Sequence, residues 1–117
     1  MKAKLLEFGV IEVDGKRFEH DIVIEHGKVA KRKKGPSKEL RDEYGHTPLS
    51  AREYIPWPAR TLIVGTGYYG DLPLTPEFRE AAKKRGVDLV VEPTEQACKR
   101  LADLDDQEVD AILHVTC

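Results

Sequence analysis

The chain has 117 residues, of which 34% are charged and 7% aromatic, and its 19 basic and 21 acidic side chains leave a net charge of −2. That length fits one domain able to bury roughly 65% of its unfolded surface, and the near-neutral balance exerts no global pull toward nucleic acid or anionic lipid. No apolar run approaches the roughly 20 residues a bilayer crossing requires, and Cys98 and Cys117 are too few for a disulfide framework, so a cytoplasmic location is expected.

The opening stretch, MKAKLLEFGVIEVDG, carries acids early and lacks a small-residue cleavage site, so it reads as a first strand and not a signal peptide. Its alternation ends at Asp14-Gly15, a hairpin signal because both central positions need positive φ. Phe18 marks the return strand, Ile22 to Ile24 another strand, and Gly27 the turn into Val29–Lys33. Residues 1–34 are therefore expected to form an antiparallel β-meander. Lys28, Lys31, Arg32, Lys33, Lys34 and Lys38 make a basic stretch without interleaved aromatics, which disfavours single-stranded nucleic acid and fits a solvated, edge-protecting strand.

Residues 35–60 read as an irregular connection. Gly35-Pro36-Ser37 is a turn, the spacing of Ser50 and Glu53 matches a capping box, and Pro56 and Pro58 around Trp57 limit any helix there to a short one.

Residues 61–117 alternate strand, helix, strand, helix, strand, which argues for a mainly parallel sheet with right-handed crossovers. Thr61 to Val64 is an unbroken β-branched and aliphatic run, as expected of a strand covered on both faces. Thr75 is placed to cap the first helix, with Pro76 at its first position and Gly86 to end it. Val87–Val91 reads as a second buried strand. Thr94 is placed to cap the next helix, whose Ala97, Leu101 and Leu104 are spaced to face the sheet. Acids from Asp103 to Glu108 fill a turn before the last strand, Val109–Val115.

Gly65, Thr66, Gly67, Tyr68, Tyr69 and Gly70 spell GxGxxG directly after the central strand, where α/β proteins place ligands. In a dinucleotide site the helix begins among the glycines; here Pro73 and the Thr75-Pro76 start push it later, and 117 residues leave no second half. A tight turn imposed by the sheet is the favoured reading, and loop amides holding a small anion with Thr94 are the intermediate one. Tyr68 and Tyr69 point to opposite sides of extended backbone, so one of them, with Trp57, is a candidate contact patch, while the favoured reading is that both fold down over the sheet end. On a strand His114 and Cys117 project to opposite faces and chelate a common ion badly, so no metal site, cofactor or catalytic set is assigned. Cys98 falls mid-helix and is expected to be buried.

Phe8-Gly9, Asp14-Gly15, Asp21 to Ile24, LIVGTG at Leu62 to Gly67, Thr94 to Ala97 and the ending His114-Val115-Thr116-Cys117 together resemble the adipogenesis-associated Mth-type domain family, which also contains the mitochondrial complex I assembly factors of the third kind. The resemblance implies a three-layer α/β fold with a mixed central sheet beside the β-meander. It implies no established catalytic residues, and its better-known members look like assembly or regulatory partners. The chain departs from many relatives in carrying Lys31-Arg32 where they have Trp-Arg.

The expectation is thus one α/β domain serving as a non-catalytic interaction or assembly module, with a protein partner or a second copy of itself and no membrane. The alternative is a small-ligand or anion binder, or an enzyme, built from Gly65–Gly70, Thr94, His114, Thr116 and Cys117.

Overall fold

The computed structural model describes every residue except Ala59 and Asp106; the acidic turn expected over residues 103–108 lies partly outside the described residues for that reason. A three-stranded antiparallel sheet is formed by β1 (Ala3–Glu7), β2 (Val10–Val13) and β3 (Lys16–Phe18). A five-stranded sheet contains β4 (Ile22–Glu25), β5 (Lys28–Lys31), β6 (Thr61–Thr66), β7 (Asp88–Glu92) and β8 (Val109–His114), in the order β5-β4-β8-β6-β7. The helices are α1 (Arg41–Tyr44), which follows a 3-10 segment at Gly35–Leu40, α2 (Pro76–Lys84) and α3 (Thr94–Ala102).

Local chemistry accounts for the hairpins. Asp14 and Gly15 both take positive φ, 48° and 86°, so Val13 pairs with Lys16 across a two-residue turn whose twist matches that of the strands. His26 and Gly27 repeat the arrangement, φ 50° and 77°, between β4 and β5. The antiparallel order expected of residues 1–34 holds, but it is divided between two sheets. Ile22, Val23 and Ile24 are all buried, and such a strand must be covered on both faces, so β4 leaves the small sheet and pairs with β8.

β6 sits in the interior of the large sheet, parallel to β7 on one side and to β8 on the other. Its Leu62, Ile63 and Val64 are each 0% exposed, as the unbroken apolar run implies. The sheet is evenly mixed, since its other two pairings, β4 with β5 and β4 with β8, are antiparallel. β7 is an edge strand and only half-buried, which corrects the expectation of full burial: with one neighbour instead of two, its flank stays open. β5, the opposite edge, carries Lys28 and Lys31, as a protected edge should.

Alternate residues of the large sheet feed two cores. Ile63, Ala111, Leu113, Ile22 and Ile24 pack with Ile11 and Val13 of the small sheet and with Ala97, Cys98 and Leu101 of α3. Leu62, Val64, Ile112 and Val23 pack on the other face with Phe78 of α2 and with Leu49, Ile55 and Leu72. The result is three layers. Thr75 caps α2 as expected, its hydroxyl accepting from the Phe78 amide at 3.1 Å, and Gly86 follows the helix with φ 66°. Leu104 lies beyond the end of α3 and is exposed, so it does not join the sheet-facing row.

Candidate functional site

Because β6, β7 and β8 are parallel, the residues that follow each of them meet at one end of the sheet: the glycine loop after β6, Thr94 after β7 and the 114–117 segment after β8. The loop is closed by the chain's own terminal segment. The Tyr68 amide donates to the Thr116 carbonyl at 2.7 Å and the Asp71 amide to the Cys117 carbonyl at 2.8 Å. The Gly67 amide donates to Thr94 Oγ1, the Gly70 amide to the Gly67 carbonyl and the Leu72 amide to the Thr66 carbonyl. Those donors are therefore already satisfied by protein acceptors and do not face outward as an anion nest.

The glycines are placed by contact as much as by conformation. A Cβ on Gly65 would stand 2.7 Å from Thr94 Oγ1, and one on Gly67, where φ is 111°, 2.5 Å from the Thr116 carbonyl oxygen. Thr94 is the first residue of α3 and does not cap it; Pro93 holds the cap position without a side-chain bond. Its hydroxyl is engaged elsewhere, accepting from Gly67 and donating to the His114 carbonyl at 2.6 Å. One side chain thereby links all three parallel strands at their carboxyl ends.

Tyr68 and Tyr69 are both exposed, at 47% and 67%. Their companion is Phe8, itself 47% exposed on the turn between β1 and β2, with ring centroids 5.9 Å from each tyrosine and 5.1 Å between the tyrosines. The Phe8 turn is held to the same terminal segment, through the Gly9 amide donating to the Val115 carbonyl at 2.8 Å. Trp57 does not belong to this group: it stacks on Phe78, with Arg85 over its ring.

Beside the terminal segment lies a buried ionic network that the sequence reading missed. Arg32, inside the basic stretch, is 3% exposed. Its Nε and Nη2 donate to the two oxygens of Glu53, both at 2.8 Å, its Nη1 to Asp21 Oδ2 at 2.9 Å and its Nη2 also to the Pro48 carbonyl. Glu53 further accepts from Ser37, which meets Ser50 at 2.6 Å. The capping box expected at Ser50–Glu53 is accordingly absent, because a buried guanidinium claims the glutamate. The signal that could have found it was the pair of acids at 21 and 53 together with one arginine among lysines, since only arginine bridges two carboxylates with a planar fork.

Asp21 also receives His114 Nδ1 on Oδ2 at 2.8 Å and the Val115 amide on Oδ1 at 2.9 Å. Burial alone would raise this carboxyl, but His114, the Val115 amide and Arg32 outweigh it and hold it at about 2. His114 Nε2 stands 3.3 Å from Thr116 Oγ1, so Asp21, His114 and Thr116 are ordered like an acid–base–nucleophile string. The last contact is long for an activated hydroxyl, and the Gly67, Tyr68, Gly70 and Asp71 amides of the neighbouring loop already donate to protein acceptors. The string orients His114.

A cavity of about 340 Å³ opens here. His114, Thr116 and Cys117 form one wall, and Lys34, Lys38, Arg41, His46 and Thr47 the other, with Arg32 also lining it. His114 and Cys117 therefore share one cavity instead of facing apart, because β8 ends at His114 and the alternation of a strand stops with it. Cys98 is buried in α3, as expected, where desolvation pushes its thiol up to about 11. At the opposite end of β8, Glu25, His26 and Asp110 place a ligand atom each within 4.8 Å of one another; there the His26 amide already donates to Asp110.

Among the described residues no helix is long and apolar enough to cross a membrane. No curated protein matches the chain. The solved structure of a conserved hypothetical protein from Pyrococcus horikoshii OT3 is 35% identical, with full coverage of both chains and a TM-score of 0.83. The structure named MT938 is 25% identical over 99% of this chain and 98% of its own, with a TM-score of 0.70. A Bordetella pertussis protein described as a Mth938-like domain shares the fold at 23% identity and a TM-score of 0.56, with 96% of this chain and 85% of that one covered. Residues 4–114 match the family described as "Protein of unknown function (DUF498/DUF598)", and the chain belongs to that family, whose Mth-type relatives share its three-layer fold.

Proposed function

We propose that the chain is an interaction module that offers a fixed aromatic face to a protein partner and performs no chemistry of its own. The observation that carries this reading is the cluster of Phe8, Tyr68 and Tyr69, three exposed rings in mutual contact on two separate turns. A single exposed tyrosine is ordinary; contiguous exposed rings mark interaction surfaces more often. Both turns are hydrogen-bonded to residues 115–117, so the rings pay little further entropy on docking, and each can bury a large area. The partner is a different protein or a second copy of the chain.

The test is the triple substitution Phe8→Ala, Tyr68→Ala and Tyr69→Ala, with capture from the native host and sedimentation of the purified protein read beside thermal melting. Loss of a captured partner or of self-association, with the melting temperature largely kept, is the expected result. Unchanged association in the triple variant would overturn the reading. A second reading, a small-anion binder, draws its support from the cationic cavity beside His114, which shares no residue with the aromatic face.

A further inference from the structure

We propose that the cavity between the 3-10 segment and the terminal His114–Cys117 segment binds a small molecule carrying a multiply charged oxyanion, of the phosphate-ester or polyphosphate class. The inference is independent of the aromatic face. Lys34, Lys38 and Arg41 line the cavity from three successive turns of chain, and all three are exposed. Among the described residues none of them has an ion-pair partner: the acids that answer the basic stretch, Asp21 and Glu53, are committed to Arg32 below. The carboxylates thus neutralise the buried guanidinium and leave the cations of the rim unpaired. Among the described residues no aspartate or glutamate side chain lines the cavity.

The opposite wall supplies fixed polar groups. His114 is oriented by Asp21 through Nδ1, which leaves its Nε2 edge and the Thr116 hydroxyl on the cavity side. Unpaired cations around such a wall match a multivalent oxyanion, with arginine able to take two oxygens at once and lysines acting as mobile point charges. A volume of about 340 Å³ is at the lower end of the range for small-molecule sites and exceeds what a bare inorganic anion fills. Among the described residues no phenyl, phenol or indole ring lines it, which leaves a base only imidazole and guanidinium planes to stack on, so a compact phosphorylated or polyphosphate ligand fits better than a base-stacking nucleotide.

The experiment is isothermal titration and thermal melting of the full chain with pyrophosphate, with ADP and citrate as comparison ligands and sodium chloride at matched ionic strength as the blank. Saturable pyrophosphate binding at up to millimolar concentration is expected, with ADP gaining nothing from its base and citrate binding more weakly. Lys38→Gln and Arg41→Gln, both exposed and, among the described residues, without ion pairs, should each weaken it about tenfold or more. Lys28→Gln, on the edge strand away from this cavity, should leave it unchanged. Absence of saturable heat, a melting shift reproduced by sodium chloride, or equal binding by Lys38→Gln and Arg41→Gln would each overturn the proposal.

Discussion

Asp21 and His114, 93 positions apart, are joined at 2.8 Å, and the same carboxylate takes the Val115 amide. The bond ties the start of β4 to the end of β8, where the cavity and the glycine loop are both anchored. It has a consequence for pH. Asp21 is held at about 2, against an ordinary 3.8. With the folded value below the unfolded one, the unfolded chain takes up the proton first as pH falls. The stabilisation is therefore complete above about pH 4 and drains away toward pH 2, by about 2 kcal/mol in all. Urea unfolding across that window should show the loss in the wild type and a smaller one in Asp21→Asn. Carboxyl NMR of the wild type reads the same group directly, and an Asp21 titrating near 4 would refute the account.

Arg32 makes a sharper demand. Its guanidinium meets Glu53 with two nitrogens and Asp21 with a third, at 2.8 to 2.9 Å. Arg32→Met leaves two carboxylates without their counter-charge in a buried site, and a loss of about 3–5 kcal/mol is expected. Arg32→Lys should recover little, since an ammonium cannot span both acids. Arg32→Met combined with Glu53→Met removes one orphaned charge and should regain part of the loss. Additive unfolding free energies in that cycle would show that the two side chains are not coupled.

The glycines of the loop are distinguishable by what surrounds them. At Gly67 an added methyl meets the Thr116 carbonyl at 2.5 Å with φ at 111°, whereas at Gly15 nothing lies within 4 Å and φ is 86°. Gly15→Ala should cost about 1 kcal/mol, the left-handed penalty alone. Gly67→Ala should cost about 3 kcal/mol or more, because backbone must also move. Equal melting temperatures for the two variants would mean that the terminal segment yields freely, and the loop would not be the rigid platform described.

Much of this was legible in the residues because the determinants were local. The run Thr61 to Val64 reported a strand covered on both faces, Thr75-Pro76 the start of α2, and Asp14-Gly15 a hairpin. The site was only half legible, because its determinants are distant partners. Arg32 reads as one cation in a basic run until Asp21 and Glu53 are brought to it by the packing of β4 and of the irregular connection. Ser50 and Glu53 have the spacing of a helix start, yet the glutamate bonds to Arg32, 21 residues earlier. The aromatic partner of Tyr68 and Tyr69 is Phe8 and not the nearer Trp57, since Phe78 of α2 already covers that indole.

Thr94 tests the join between the three parallel strands. Its sequence position suits a helix cap, but the hydroxyl is turned to the Gly67 amide, 27 residues earlier at 2.8 Å, and to the His114 carbonyl. The side chain is 0% exposed, so water cannot replace either bond. Thr94→Val keeps the shape and removes both bonds, leaving a buried amide without an acceptor; about 2–3 kcal/mol of stability should go with it. Thr94→Ser keeps the hydroxyl and should cost about 1 kcal/mol, the worth of a buried methyl. Hydrogen exchange separates this from a general loosening. The Gly67 amide should exchange far faster in the valine variant while that of Phe78, capped by Thr75 on the other face of the sheet, falls only with global stability. If both amides accelerate together, Thr94 is an ordinary core residue and the carboxyl ends of β6, β7 and β8 are held by packing alone.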